Sequence, residues 1–322
     1  MYSGLGAALA AIVGLLAAPT MAQSPQTPEQ AAEAQRLTAL RDSLKPIRGV
    51  VAIPAAKATL ALGDKYYFLG PDDARRVLTE GWNNPPSAVS DVLGMVFPDG
   101  ADFLTDGAWG AVVTYADTKY VSDKDAKTAD YDKVLADLRA GEDEQNAELQ
   151  KQGFKPSTLI GWAQPPTYDP AHHDMIWARD VQFGDEADHT LNYDVRHLGR
   201  SGVLSMNLVS SMSHLGDVRP AAAELARTAE FDAGARYADF QKGDATAGYG
   251  LAGLVAAGVG LGVAKKAGLL AVALLFLKKG AVVFVAGFAA IAAWVRRTLG
   301  LKPKAGSPQG GPSEPPPSKI VE

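Results

Sequence analysis

The chain has 322 residues, 47% of them apolar, a formal net charge of −5 and no cysteine. That length suits one large domain or two small ones with appendages, and the lack of cysteine excludes disulfides, zinc–thiolate sites, thiol catalysis and a lipidated cysteine. The charge is uneven: residues 265–322 carry nine Lys/Arg against two Asp/Glu, a net of +7, which leaves −12 on residues 1–264. An acidic body is repelled by nucleic acid, which is therefore excluded as a partner.

The N-terminus predicts an address. Leu5 to Ala18 is an apolar run too short for a membrane span, and Thr20-Met21-Ala22 supplies the small residues of a cleavage site. Residues 1–22 read as a secretory signal peptide. Residues 23–46 read as a linker and short amphipathic helix: Thr27 caps it, Pro28 suits its first position, and Gln30 completes a capping box. Leu37, Leu40 and Leu44 share its apolar side.

Residues 47–246 predict an exported α+β domain of antiparallel sheet with packed helices, either whole or as two αβ halves at 47–155 and 156–246. In order, Gly49–Gly63 and Tyr66–Phe68 have strand character, Pro71–Trp82 is a helix ended by Asn83–Pro86, and Trp109–Tyr120 is a strand or hairpin. Asp125–Gly153 is a charged, solvated helical stretch. Ile160–Trp162 opens a second unit, with strands at Met175–Phe183, Thr190–Leu198 and Val203–Val209. In Thr190–Leu198, Leu191, Tyr193 and Val195 point one way and Asn192, Asp194 and Arg196 the other. A helix at Arg219–Phe231, with Pro220 in its first turn, and a short strand at Tyr237–Phe240 close the body.

Residues 247–266 predict a Gly-rich apolar helix. Within it, Gly248-Tyr249-Gly250-Leu251-Ala252-Gly253 is a formal G-x-G-x-x-G, with neither the preceding strand nor the later acidic residue that a nucleotide site needs. Residues 267–297 predict a transmembrane region. Lys265–Lys266 and Lys278–Lys279 bracket 11 residues, and Lys279 and Arg296 bracket 16. Only the longer run, or the whole segment tilted, spans about 30 Å of hydrocarbon. Lys278 and Lys279 then stand at membrane depth, where a partner or an interface must receive them. Residues 298–322 are a basic, Pro-rich tail expected to be disordered. A signal peptide followed by one span puts the body on the periplasmic side of a bacterial inner membrane and the tail in the cytoplasm; a two-span hairpin that includes the Gly-rich helix is the alternative.

Several stretches together resemble one family: Gly81–Pro86 (GWNNPP), Trp109–Ala126 (WGAVVTYADTKYVSDKDA), Gly161–Asp169 (GWAQPPTYD), Met175–Ala178 (MIWA), Leu191–Leu204 (LNYDVRHLGRSGVL), Arg236–Phe240 (RYADF) and the AGYGLAGLVAAG run. The chain is similar to the bacterial membrane-anchored family catalogued as domain of unknown function 2167. Asn83 departs from the Gly of its W-G-N-P-P pattern. The resemblance implies an exported domain tethered by a C-terminal membrane segment. It brings no activity, substrate or catalytic residue with it.

The chemistry-bearing residues form no known catalytic set. His172-His173-Asp174 lacks a second metal-ligating pair and reads as exposed loop histidines. Asp123 and Asp125 lack the glycine and glutamate of a calcium loop, and Asp123 reads as a turn or helix cap. No metal or cofactor is expected. The best ligand- or partner-binding candidates are Trp162, Tyr168, Asp169, Trp177, Asn192, Arg196 and Arg200, with Lys278 and Lys279 at membrane depth. Arg196 and Arg200 have the planar fork that clamps carboxylates, with Asp169 and Asp194 as alternative partners. The reading favours a non-enzymatic binding or scaffold module of the cell envelope with a protein partner. The alternatives are a subunit of a membrane transport or assembly complex, and an envelope enzyme with an unrecognised site.

Overall fold

The computed structural model describes residues 27–258, apart from residues 83, 85, 87–88 and 152–154. The predicted signal peptide (1–22), transmembrane region (267–297) with Lys278 and Lys279, and tail (298–322) lie outside the described residues. Among the described residues no helix is long and apolar enough to cross a membrane.

The first helix, α1 (Pro28–Ser43), starts on the predicted capping box: Thr27 Oγ1 accepts from Gln30 N–H and Gln30 Oε1 accepts from Thr27 N–H. Leu37 and Leu40 are its buried residues. Strands β1 (Ile47–Ile53) and β2 (Ala58–Leu69) form a hairpin through a 3₁₀ turn at Pro54–Ala56, so Tyr66–Phe68 continues β2 and is no separate strand. Helix α2 (Pro71–Arg76) passes into a π-helical turn at Val77–Gly81. Strand β3 (Val92–Pro98) was not foreseen: a glycine and a terminal proline interrupt its apolar run. Gly94 is required there, since a Cβ would sit 2.0 Å from the Phe68 ring and 2.7 Å from the Leu69 carbonyl.

Strand β4 (Gly110–Ala116) is followed by β5 (Tyr120–Ser122), which makes no hairpin with it. β5 instead pairs in parallel with β11 (Thr246–Gly250). The expected long helix at 125–153 is two shorter ones, α3 (Tyr131–Ala140) and α4 (Glu142–Lys151), broken at Gly141. Helix α3 begins where Asp130 Oδ1 accepts from Lys133 N–H, because the Asp125 carboxylate is engaged elsewhere. Strands β6 (Ser157–Asp169), β7 (Asp174–Phe183), β8 (Thr190–Leu198) and β9 (Val203–Ser211) follow as a meander. Helix α5 (Leu215–Ala226) starts four residues before the predicted Arg219 and ends five before Phe231. Pro220 therefore lies inside the helix, and residues 229–231 form β10. The expected strand at 237–240 is a 3₁₀ turn, because Asp239 Oδ2 accepts from Gly234 and Arg236 N–H. The Gly-rich helix, α6 (Leu251–Gly258), starts only after β11.

One antiparallel sheet runs β1-β2-β3-β4-β9-β8-β7-β6, with β10 beside β2. The β4–β9 pairing joins strands from both sequence halves, from Gly110↔Val209 to Ala116↔Val203. The body is thus a mixed fold of one large antiparallel sheet and a few helices, covered on both faces. On one face Val218, Ala222 and Leu225 of α5 meet Leu191, Tyr193 and Leu208. On the other lie apolar residues of α1, α2, α3 and α6, among them Leu40, Ala74, Leu138 and Leu254. Strand β8, between them, is buried at all nine positions.

Candidate functional site

The strand alternation read in β8 is real, but its polar side faces no solvent. Asn192, Asp194 and Arg196 are 2%, 0% and 7% exposed and lie under the helical layer of α3 and α6. Cross-strand pairing extends them into rows. Trp162, Arg179, Asn192 and Val209 form one row across β6–β9. Trp177, Asp194 and Asn207 form the next, and Tyr168, Met175, Arg196 and Ser205 the third. Five of the seven candidates, Trp162, Tyr168, Trp177, Asn192 and Arg196, therefore share one face of adjacent strands.

At the centre, Asp194 binds two guanidiniums. Arg196 Nη2 donates to Oδ1 at 2.8 Å and Arg179 Nη2 to Oδ2 at 3.3 Å. Arg196 Nη1 also donates to Ser205 Oγ at 2.6 Å, and its guanidinium lies 5.4 Å over the Trp177 ring. Burial lowers the Arg179 pKa, and the Asp194 charge opposes that shift. Around this triad Trp177 Nε1, Asn192 Oδ1 and both side-chain polar atoms of Asn207 are buried with no hydrogen-bond partner among the described residues. Buried polar atoms are ordinarily paired, so their concentration in one layer sets this face apart.

At the β6–β7 end the same face carries a relay. Tyr168 Oη lies 2.9 Å from both Asp123 Oδ2 and His173 Nδ1. The phenol has one proton, and Asp123 as a carboxylate only accepts. Tyr168 therefore donates to Asp123, and His173 donates Nδ1–H to Tyr168. Burial and then the Asp123 hydrogen bond push the Tyr168 hydroxyl well above its usual range. His173 is half-buried, stacked on Tyr237 at 4.3 Å, and held in the left-handed region at φ 57°. Its pKa is lowered, chiefly by burial. It is thus no exposed loop histidine, whereas His172 is exposed. Asp123 does open a turn, its carbonyl accepting from Ala126 N–H at 3.0 Å, while its carboxylate is the acceptor of this relay rather than a helix cap.

Asp169 and Arg200 lie off the polar face. Asp169 binds His172 at 2.7 Å within the β6–β7 turn, and Arg200 reaches Asp244 through Nε at 2.7 Å and Nη2 at 3.0 Å. Arg196 and Arg200 therefore do not form one clamp. Among the described residues no three His, Asp or Glu side chains come together to hold a metal.

The formal G-x-G-x-x-G does follow a strand and open a helix, β11 into α6. Its helix N-terminus is already occupied, because Asp125 accepts from Leu251 N–H at 2.9 Å and Ala252 N–H at 3.1 Å. A Cβ on Gly250 would fall 2.4 Å from Asp125 Oδ1, so glycine is what lets the carboxylate in. An internal anion satisfies the orphan donors that a phosphate would otherwise take. Sequence reasoning missed Arg179, Ser205 and Asn207, and set aside Asp125 and His173. The first three stand at alternate positions of apolar strands, which was a usable signal; the other two depend on contacts distant in sequence.

A family model described as Protein of unknown function (DUF2167) matches residues 45–289. The chain belongs to this DUF2167 family. The match covers every strand of the sheet and runs past α6. No curated protein matches the chain. Among solved structures, a solution structure of the cyanobacterial PsbP protein CyanoP from Synechocystis sp. PCC 6803 matches at 11% identity, covering 58% of this chain and 94% of that one. Its TM-score is 0.34, a superposition too loose to speak to function.

Proposed function

We propose that the chain is a membrane-anchored exported protein whose α+β body serves the cell envelope as a non-enzymatic binding or scaffold module. The body would sit on the periplasmic side of the bacterial inner membrane, held by one span within residues 267–297, with the tail in the cytoplasm. The observation that carries the reading is how the charged candidates are used. Asp194 is shared by Arg179 and Arg196, Arg200 is forked onto Asp244, and Asp169 holds His172. Each pair fixes a strand or turn in place, as a scaffold requires, and none presents a nucleophile beside a base. The Asp125 cap supports the anchor, since it mounts the start of α6 on the body just ahead of the apolar segment.

The test is crosslinking in intact bacterial cells, gentle solubilisation and identification of what is retained, for the full chain and for a form ending at Gly258. A stoichiometric partner held by both forms is expected. A partner held only by the full chain would move the role to the membrane segment and favour the complex-subunit alternative. Retention of nothing specific by either form would refute the module reading.

A further inference from the structure

Away from the polar rows, a cleft opens between the β3–β4 loop, the end of the π-helical turn and the β9–α5 connection. Its wall is aromatic: Trp82, Phe97, Phe103 and Trp109, each less than a tenth exposed. Ser210 also lines it, 3% exposed, and its hydroxyl has no partner among the described residues. At the rim stands Asp106, exposed and outside every hydrogen bond and ion pair of the described residues.

The rim is built rather than loose. Asp102 Oδ1 accepts from Leu104 N–H at 2.8 Å, and Thr105 Oγ1 accepts from Asp102 N–H at 3.0 Å. Gly107, at φ 70°, backs onto the His214 ring, where a Cβ would meet Nε2 at 2.5 Å. His214 Nδ1 is taken by Ser213 Oγ. Asp102 has Arg41 at 4.0 Å, and Arg41 is itself paired with Asp42, so Asp106 is the open charge of the rim.

These parts select the ligand. Aromatic faces are electronegative and attract a cation. Asp106 and the Ser210 oxygen accept hydrogen bonds. A purely apolar group would leave the Ser210 hydroxyl buried and unpaired. An anion would meet Asp106, Asp102 and the ring faces together. The net −12 of residues 1–264 draws cations in over longer range.

We infer that this cleft receives an arginine side chain from a basic segment of a partner protein, its guanidinium against the aromatic wall and its N–H groups on Asp106 and Ser210. The inference rests on the binding-module reading and names the chemistry of its partner.

The test uses the full chain in detergent, with tryptophan fluorescence and calorimetry reading binding at low salt. The probes are the peptide Gly-Arg-Gly-Arg-Gly, its citrulline counterpart and spermidine. The arginine peptide should bind, and Asp106→Asn and Ser210→Ala should each weaken it by about tenfold, the scale of one charge-assisted hydrogen bond. The citrulline peptide should not bind measurably. Equal binding of the citrulline peptide, or unchanged affinity in both variants, overturns the inference. Spermidine binding more tightly than the peptide would make the site one for free polyamines and also overturn it. If the cellular crosslinks survive in Asp106→Asn, the cleft assignment fails while the module reading stands.

Discussion

The two faces of this sheet are buried alike and built differently. Toward α5, strands β8 and β9 present Leu191, Tyr193, Val195, Leu204, Met206 and Leu208, a dry layer in the usual manner of an antiparallel sheet. Toward α3 and α6 the same two strands present Asn192, Asp194, Arg196, Ser205 and Asn207. A one-residue shift of register would exchange these sets, so the alternation fixes register doubly: one face rejects charge and the other needs it. Burial alone therefore does not decide composition. A polar layer can be as enclosed as an apolar one when its charges satisfy one another.

The sharpest way to break the comparison is Asp194→Ala. It removes the buried carboxylate that two guanidiniums share, and a loss of about 3–5 kcal/mol is expected in urea unfolding. On the other face Leu208→Ala leaves a cavity under α5, with an expected loss of about 2–4 kcal/mol by the same measurement. If Asp194→Ala costs less than Leu208→Ala, the polar layer is not the interlocked unit described above. A third variant sharpens the contrast: Arg179→Met, Asp194→Leu and Arg196→Met together. Replacing a whole buried charge cluster by packed apolar groups is close to neutral or stabilising, so a change within about 1 kcal/mol is expected. A folded triple variant that no longer retains its partner would assign the polar layer to recognition; one that still retains it would assign the layer to register.

The smallest effect concerns pH. His173 has its pKa lowered by burial, so the fold favours its neutral form. Its contribution is present above the ordinary value of 6.5 and is lost as pH falls toward the lowered folded value. The groups acting on it are Asp123, Asp169 and Asp174, which favour its charged form, and His197, which opposes it. His172 acts with the opposite sign. Asp169 raises its pKa, so that contribution is present below 6.5 and lost as pH rises through the folded value, and its exposure screens it heavily. Melting temperature followed from about pH 8 to about pH 5 should fall less in His173→Gln than in the parent chain, while His172→Gln should barely move the curve.

How much of this was legible follows physical lines. The α1 capping box, strands β7 to β9 and the in–out alternation of β8 depend on neighbours a few residues away, and they read correctly. The family resemblance also held, carried by long stretches in a fixed order. What failed was set by distant contacts. Asp125 looked like the start of a helix, yet its carboxylate is spent on α6, more than a hundred residues on. Residues 237–240 read as a short closing strand, but Asp239 folds them into a turn. Tyr168 reads as a candidate, while of its partners Asp123 reads as a turn or helix cap and His173 as an exposed loop histidine, because the fold brings them together from separate turns that leave no periodic mark. Asp169 and Arg200 have the right chemistry, but Asp169 is held off the polar face by neighbouring His172 and Arg200 by Asp244, 44 residues on.

The pairing of β4 with β9 sets an order of assembly. Strand β4 carries Ala111, Val112 and Val113, all buried on folding, and its partner edge is filled by residues 203–209. As the chain emerges from the ribosome, β1 to β4 can pair with one another while that edge stays bare through the next ninety or so residues of synthesis, an aggregation hazard of the kind holdase chaperones cover. The β5–β11 ladder and the Asp125 cap must wait still longer, until Leu251 and Ala252 have appeared. The nascent protein thus depends on protection until β9 has been made, and the last part of the body to lock is the one that carries α6.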